Sequence, residues 1–422
     1  MSAFLLTAMP FSGHVGPITA IAAALVARGH RVRVYTGTAF RGRVEATGAG
    51  FLGWKAARDF DENNLAATFP RVTERPGLRQ LLINMVDVFI ASAPGQVADL
   101  QAEYTRDPWD VLVSEESSIG PRLFTEKTGC RWVTVAVLPL QLVGPGGAPS
   151  GMGISPGRNV FGRGRDKALR ALVPLLAGPL RGPANQARAA VGLSKTSATY
   201  DTQVFSPALI LASGIPALDY SRTDRPAHLH WVGELRAPAR TDSPPPAWWG
   251  DLEGRRVVHV TQGTQNVDPD DLIGPTLEAL ADLDAIVVAT TGLRGREVLP
   301  FAVPDNARVT DFVPYDLLLP RTDIVVTNGG WGGVIATLAH GIPLVAAGAH
   351  LDKPEVAARV AFSGAGVNLR TGRPAPTDIR AALDRVTTDA SYRTAATRIA
   401  ADLDAAGGAT RAADLLTDFL AG

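Results

Sequence analysis

Five short apolar runs recur between residues 256 and 350: "RVVHVTQG", "DAIVVATTG", "ARVTDFVP", "TDIVVTNGG" and "IPLVAAGAH". Runs of this length, rich in Val and Ile and closed by Gly or Pro, read as strands separated by helices. Strands that alternate with helices are laid side by side in parallel, and the helices must then cover both faces of the sheet. The same alternation opens the chain, where "FLLTAMP" is followed by the loop "FSGHVGP", the helix "ITAIAAALVARG" and the strand "HRVRVYTG". Pro17 suits a first helical turn and Gly29 a helix end. "DVLVSEE" and "CRWVTVAVLP" continue the pattern.

A chain of 422 residues is longer than one hydrophobic core usually serves, so two domains are expected. The break falls in "RAPARTDSPPPAWWGDLEGR", where Pro and polar residues interrupt the alternation. The expected organisation is an α/β fold of two Rossmann-like halves: residues 1–235, a linker at 236–250, and residues 251–404. A C-terminal helix over 405–422 packs back on the first half. Such sheets bind ligands at the carboxyl ends of their strands, here in the cleft between the halves. Residues 138–166 are Gly- and Pro-rich and too long for an ordinary connection; they read either as a surface excursion or as a substrate-shaping loop.

Lys plus Arg and Asp plus Glu number 41 each, so the whole chain carries no net field that would gather nucleic acid or an anionic membrane. The single cysteine, Cys130, fits a reducing cytosol. The N-terminus lacks a basic segment, and no apolar run approaches the roughly 20 residues a membrane span needs. A cytoplasmic protein acting on small molecules, as monomer or homodimer, is the expectation.

"TNGGWGGVIATLAHG" sets four glycines between a strand and a helix. Glycines there let backbone N–H groups reach a ligand, and the helix N-terminus favours an anion such as phosphate. The spacing is neither that of a P-loop nor Gly-x-Gly-x-x-Gly. Asp352 and Lys353 in "HLDKPE" follow the next strand, and Gly263 and Thr264 in "VTQGT" end the first strand of this half. All therefore gather at one sheet edge.

With these elements in place, the chain resembles the nucleotide-sugar-dependent glycosyltransferases of GT-B fold that glycosylate macrolides, flavonoids and other small natural products. The likeness covers essentially the whole sequence and is strongest over 309–366. There the family pattern runs from Trp/Phe-Val-Pro-Gln through His-Gly-Gly-x-Gly-Thr to Asp-Gln. The resemblance implies that Phe312 and Val313 hold a nucleobase. It further implies that Asn328, Gly329, Gly330, Trp331, Gly332 and Gly333 hold a diphosphate, and that Asp352 and Lys353 hold sugar hydroxyls. Departures are Asn328 for His, Gly333 for Ser or Thr, Lys353 and Tyr315 for Gln, and Ala336 for the Glu that grips ribose. Loss of that Glu fits a deoxyribose, hence a dTDP-sugar over a UDP-sugar.

Inverting transfer needs a base for the acceptor hydroxyl. The resemblance gives that role to His14, in the first strand-to-helix loop, and its carboxylate partner to Glu115. Glu116 competes, because adjacent strand residues point oppositely. No metal or other cofactor is expected besides the nucleotide-sugar co-substrate; the two Asp-Leu-Asp triplets lie in helical patterns. Phe60, Met85 and Phe89 are candidates for an apolar acceptor pocket. A GT-B epimerase and a non-catalytic partner of another transferase remain the alternatives.

Overall fold

The computed structural model describes residues 1–73, 77–142, 149, 151–198, 204–222, 224–236, 244–264 and 268–421. Two separate parallel sheets form. The first holds β1 (Ala3–Thr7), β2 (Arg31–Thr36), β3 (Gly50–Gly53), β4 (Val111–Glu115), β5 (Trp132–Ala136), β6 (Ile210–Ser213) and β7 (Leu229–Gly233), in the order β3-β2-β1-β4-β5-β6-β7. The second holds β8 (Val257–Thr261), β9 (Ile286–Thr290), β10 (Ala307–Thr310), β11 (Ile324–Thr327), β12 (Leu344–Ala346) and β13 (Gly366–Asn368), in the order β10-β9-β8-β11-β12-β13. The central strands β1, β4, β8 and β11 are buried on both faces, as parallel strands sandwiched by helices must be.

Chain order reverses between β1 and β4 in one sheet and between β8 and β11 in the other. The connections leaving these neighbours run to opposite faces and open a crevice at the strand ends. The segment expected as a loop is helical from Ser12, so the first turn of the helix Ser12–Ala27, which bears His14, and the end of β4 flank the first crevice. The "VTQGT" and "TNGG" loops flank the second.

The C-terminal helix, Gly408–Ala421, buries Ala412, Ala413 and Leu416 against Ile18, Ile21 and Leu25 of the first lobe. The preceding helix, Ala390–Ala405, supplies Ile399 and Leu403 to a core shared with Ile215 and Leu218 of the first lobe and Trp331 and Ile335 of the second. The last two helices therefore join the lobes. Within the interlobe segment, residues 237–243 lie outside the described residues; Trp248 and Trp249, in the turn Ala247–Leu252, already pack on the core of the second lobe. Of the segment read as a 138–166 loop, residues 143–148 and 150 lie outside the described residues. Its end is helical instead, because Asn159 caps a helix over Val160–Leu176 by accepting the Gly162 N–H at 2.8 Å.

Candidate active site

The turn after β1 is short, and the helix Ser12–Ala27 begins at once, so His14 sits in its first turn at the crevice. Its Nδ1 lies 3.1 Å from Glu115 Oε2. Glu115 ends β4 and is fully buried, yet its carboxylate is saturated. Oε1 accepts from the Met9 N–H at 3.2 Å and the Ser118 hydroxyl at 2.7 Å, and Oε2 also accepts the Ser117 N–H at 2.7 Å. Burial would raise its pKa, but the His14 charge and these donors outweigh it and hold the group below the usual carboxylate value. Glu116 turns to the other side and accepts the backbone N–H groups of Val137 and Leu138, at 2.8 and 2.9 Å, past the end of β5. Burial and the neighbouring Glu115 charge push it up to about 7.

Burial alone would lower the His14 pKa. The charge and hydrogen bond of Glu115, with Glu116 and Asp352 further off, reverse this and raise it above 6.5. Asp352 belongs to the second lobe, and its carboxyl is itself raised by burial. His14 and Asp352 thus feel each other's charge across the cleft, which puts the imidazole of one lobe opposite a carboxylate of the other.

On the second lobe, β11 leads into the helix Trp331–Ala339. Gly329 holds φ +88°, and a Cβ there would meet the Lys353 carbonyl oxygen at 3.3 Å, so the position admits no side chain. Gly330 caps the helix and Gly332 lies in its first turn; around each, the space a Cβ would enter is open to 4 Å. The helix N-terminus therefore presents bare backbone to the crevice. Gly263, at φ +70°, brings the β8 loop beside it, 3.9 Å from Asn328 Oδ1 when measured from a Cβ at that glycine. Thr264 is half-buried next to it.

Three residues of the expected set turn inward. Asn328 is buried, and its Nδ2 donates to the Gln262 carbonyl, tying the β11 loop to β8. Trp331 is 4% exposed, with its ring against Gly214 of the first lobe. Val313 fills the core beside Leu252 and Leu318. Phe312, by contrast, is 42% exposed, and the Arg294 guanidinium lies 5.4 Å from its ring centre, making a flat cationic-aromatic platform. Sequence reasoning missed Arg294, which carries no motif. Asp352 and Lys353 start the helix Lys353–Ser363, with Lys353 buried. Ala336 is buried in the core and presents no polar group.

Beside His14, Phe11 lies 5.5 Å away between ring centres, and Phe89 lies 5.9 Å beyond Phe11. Phe60 does not face the crevice: packed among Phe11, Trp54 and Phe69, it is 5% exposed and backs this wall. Met85 packs near Ile90 and Leu180. A small cavity lined by Ile90, Glu116, Ser118, Ile119, Arg122 and Leu180 shares Ser118 with the His14–Glu115 pair.

Residues 275–418 match the protein family described as "Erythromycin biosynthesis protein CIII-like, C-terminal domain". The chain is 40% identical over 415 residues to 4'-demethylrebeccamycin synthase of Lentzea aerocolonigenes, covering 98% of each protein. It is 31% identical over 439 residues to UDP-glycosyltransferase 2 of Phaeomoniella chlamydospora, covering 99% of this chain and 95% of that one. Among solved structures, the glycotransferase of kitacinnamycin superposes with a TM-score of 0.74 at 22% identity, covering 99% of both chains. The glycosyltransferase VinC, solved in complex with dTDP, superposes at 0.71 and 21% identity over 99% of both. With two facing parallel-sheet lobes and end-to-end likeness at that level, the chain belongs to the nucleotide-sugar-dependent glycosyltransferases of natural-product type, built on the GT-B fold.

Proposed function

We propose that the chain is an inverting, metal-independent transferase that moves a sugar from a dTDP- or UDP-sugar to a hydroxyl of a largely apolar small acceptor. His14 is the general base. The observation that carries this reading is the His14–Glu115 hydrogen bond at a crevice whose opposite wall bears Asp352 and the open glycines. A carboxylate accepts only, so it holds the proton on Nδ1 and leaves Nε2 free to take the acceptor's. Glu115 then stabilises the imidazolium that forms.

The leaving diphosphate meets the N-terminus of the helix Trp331–Ala339, where fixed N–H groups stabilise developing charge. Phe312 and Arg294 receive the base, and Asp352 with Lys353 the sugar hydroxyls. Phe11 and Phe89, beside His14, suit an apolar acceptor. The buried Ala336 leaves no partner for a ribose hydroxyl, which favours a deoxyribose donor; VinC was solved with a deoxyribose nucleotide.

The test is release of free nucleoside diphosphate from dTDP- and UDP-sugars, with and without a panel of polycyclic acceptors. Release only with acceptor, abolished by His14→Ala while diphosphate binding survives, supports the reading. Release without acceptor points to the epimerase, and no turnover with any donor points to the non-catalytic partner. A uridine preference removes the deoxyribose argument.

A further inference from the structure

The helix Val160–Leu176 departs from the usual pattern of a surface helix. Its buried position is an acid, Asp166, whereas Phe161 is 89%, Leu175 76%, Val160 72% and Leu172 41% exposed. Among the described residues, four of the eleven exposed large apolar side chains lie on this one helix. At the helical repeat, Val160, Phe161, Ala168, Ala171, Leu172 and Leu175 fall within an arc of about 120°, all facing solvent. Arg163 and Lys167 fall along one edge of this arc, and Arg165 along the other. From 158 to 170 there are five bases (Arg158, Arg163, Arg165, Lys167, Arg170) and one acid (Asp166), in a chain whose charges otherwise balance.

The outward stripe is held in place by polar contacts on the inner side. Asp166 accepts the Gly157 N–H at 2.7 Å and the Arg165 guanidinium at 2.7 and 2.9 Å, and Gly157 packs directly on Gly162, where neither could carry a larger side chain. The apolar arc therefore cannot roll inward without breaking the Asp166 contacts.

We propose that this face of the helix Val160–Leu176 docks the protein peripherally on an anionic lipid surface. An apolar stripe edged by the exposed Arg163 and Lys167, with Arg165 on the other edge drawn to Asp166, matches the two layers of such a surface, acyl chains beneath the stripe and phosphate groups beside its basic edge. The neutral balance of the whole chain argues against a diffuse attraction and leaves a local one. Beyond its C-terminus the chain continues into Ala177 and Leu180, which line the cavity that shares Ser118 with the His14–Glu115 pair. The proposal is independent of the sugar-transfer reading.

The full chain is sedimented with vesicles of phosphatidylcholine alone and of phosphatidylcholine mixed with phosphatidylglycerol, at low and high salt. The expected result is binding to the mixed vesicles only, weakened by salt. Phe161→Asp with Leu175→Asp lowers that binding about tenfold or more, from the apolar burial lost. Arg163→Glu with Lys167→Glu lowers it comparably, and both double variants keep the thermal unfolding midpoint of the parent. Absence of binding to mixed vesicles, binding unaffected by either double variant, or self-association on a sizing column abolished by Phe161→Asp in place of vesicle binding would each overturn it.

Discussion

The Nδ1–H of His14 donates to Glu115 Oε2 across 3.1 Å, linking the first turn after β1 to the last residue of β4. These strands are neighbours in space but lie about a hundred residues apart in sequence. Replacing Glu115 by Ala removes the partner that fixes the tautomer and leaves three further donors without an acceptor. Transfer is expected to fall roughly 10²–10⁴-fold. The orphaned donors cost about 1–3 kcal/mol of stability. Glu115→Asp, one methylene shorter, recovers part of the rate. Single-turnover rates and urea unfolding of the three proteins check this.

In the proposed role of base His14 must be neutral to act, and its pKa is raised above 6.5 by Glu115, Glu116 and Asp352 against its burial. The acidic limb of kcat/KM therefore lies above 6.5 in the wild type and moves to lower pH in Glu115→Gln. The same shift is linked to folding. His14 contributes stability that is fully present below its unfolded pKa and is lost as pH rises through the raised folded value. Glu115 has the opposite sign: its contribution is present at neutral pH and is lost on acidification through its lowered folded pKa. A pH–rate profile with unchanged limb position in Glu115→Gln would remove Glu115 as the cause.

Glu116 gives a separate slope. Its folded pKa, about 7, exceeds the ordinary 4.5, so the native state holds the proton more tightly. Stability contributed by the neutral form falls as pH rises from about 4.5 to about 7. In Glu116→Gln this component disappears, and the difference in denaturation midpoint between pH 5 and pH 8 shrinks. A variant with the same pH slope as the parent would show that Glu116 titrates normally.

The glycines of the β11 loop separate by what surrounds them. Gly332 lies in a helical turn with open space where a Cβ would go, so Gly332→Ala stabilises the fold by up to about 1 kcal/mol. That methyl enters the open space beside the helix N-terminus where the diphosphate is proposed to bind, so dTDP or UDP binding is expected to weaken about tenfold or more. Gly329→Ala behaves otherwise, because φ +88° and the Lys353 carbonyl together cost the fold about 1–2 kcal/mol. Thermal unfolding with and without nucleotide separates the two effects; tighter nucleotide binding by Gly332→Ala would place the diphosphate elsewhere.

Two parallel α/β halves were legible because strand length, helical period and Gly/Pro punctuation agree at every unit from "FLLTAMP" to "IPLVAAGAH". The loops at the strand ends were legible for the same reason. Side-chain direction was not. Whether Glu115 or Glu116 meets His14 depends on how the strand ends. Asn328 and Trp331 occupy motif positions but turn inward, toward the Gln262 carbonyl and the interlobe face at Gly214. The helix over 160–166 was hidden by "GRNVFGRGRD", whose glycines read as loop until Asn159 supplies the cap. Buried charge was least legible, since Asp219, Glu355 and Arg359 form a unit only once both lobes are assembled.

Arg359 is 3% exposed and donates to Asp219 Oδ1 at 3.2 Å, to the Leu140 carbonyl at 2.9 Å and to Glu355, with its guanidinium 4.6 Å from the Tyr220 ring centre. Glu355 in turn accepts the Gly153 N–H at 2.7 Å, so one cation joins segments of the first lobe to the helix that begins at Lys353. Arg359→Met leaves two buried carboxylates without that cation and is expected to destabilise by about 3–5 kcal/mol. Removing both acids as well, in Arg359→Met with Asp219→Asn and Glu355→Gln, eliminates the unpaired charge and recovers much of that loss. Denaturant unfolding reads both. Equal loss in the single and triple variants would mean that the hydrogen bonds to Leu140 and Gly153, rather than charge balance, hold the lobes together here.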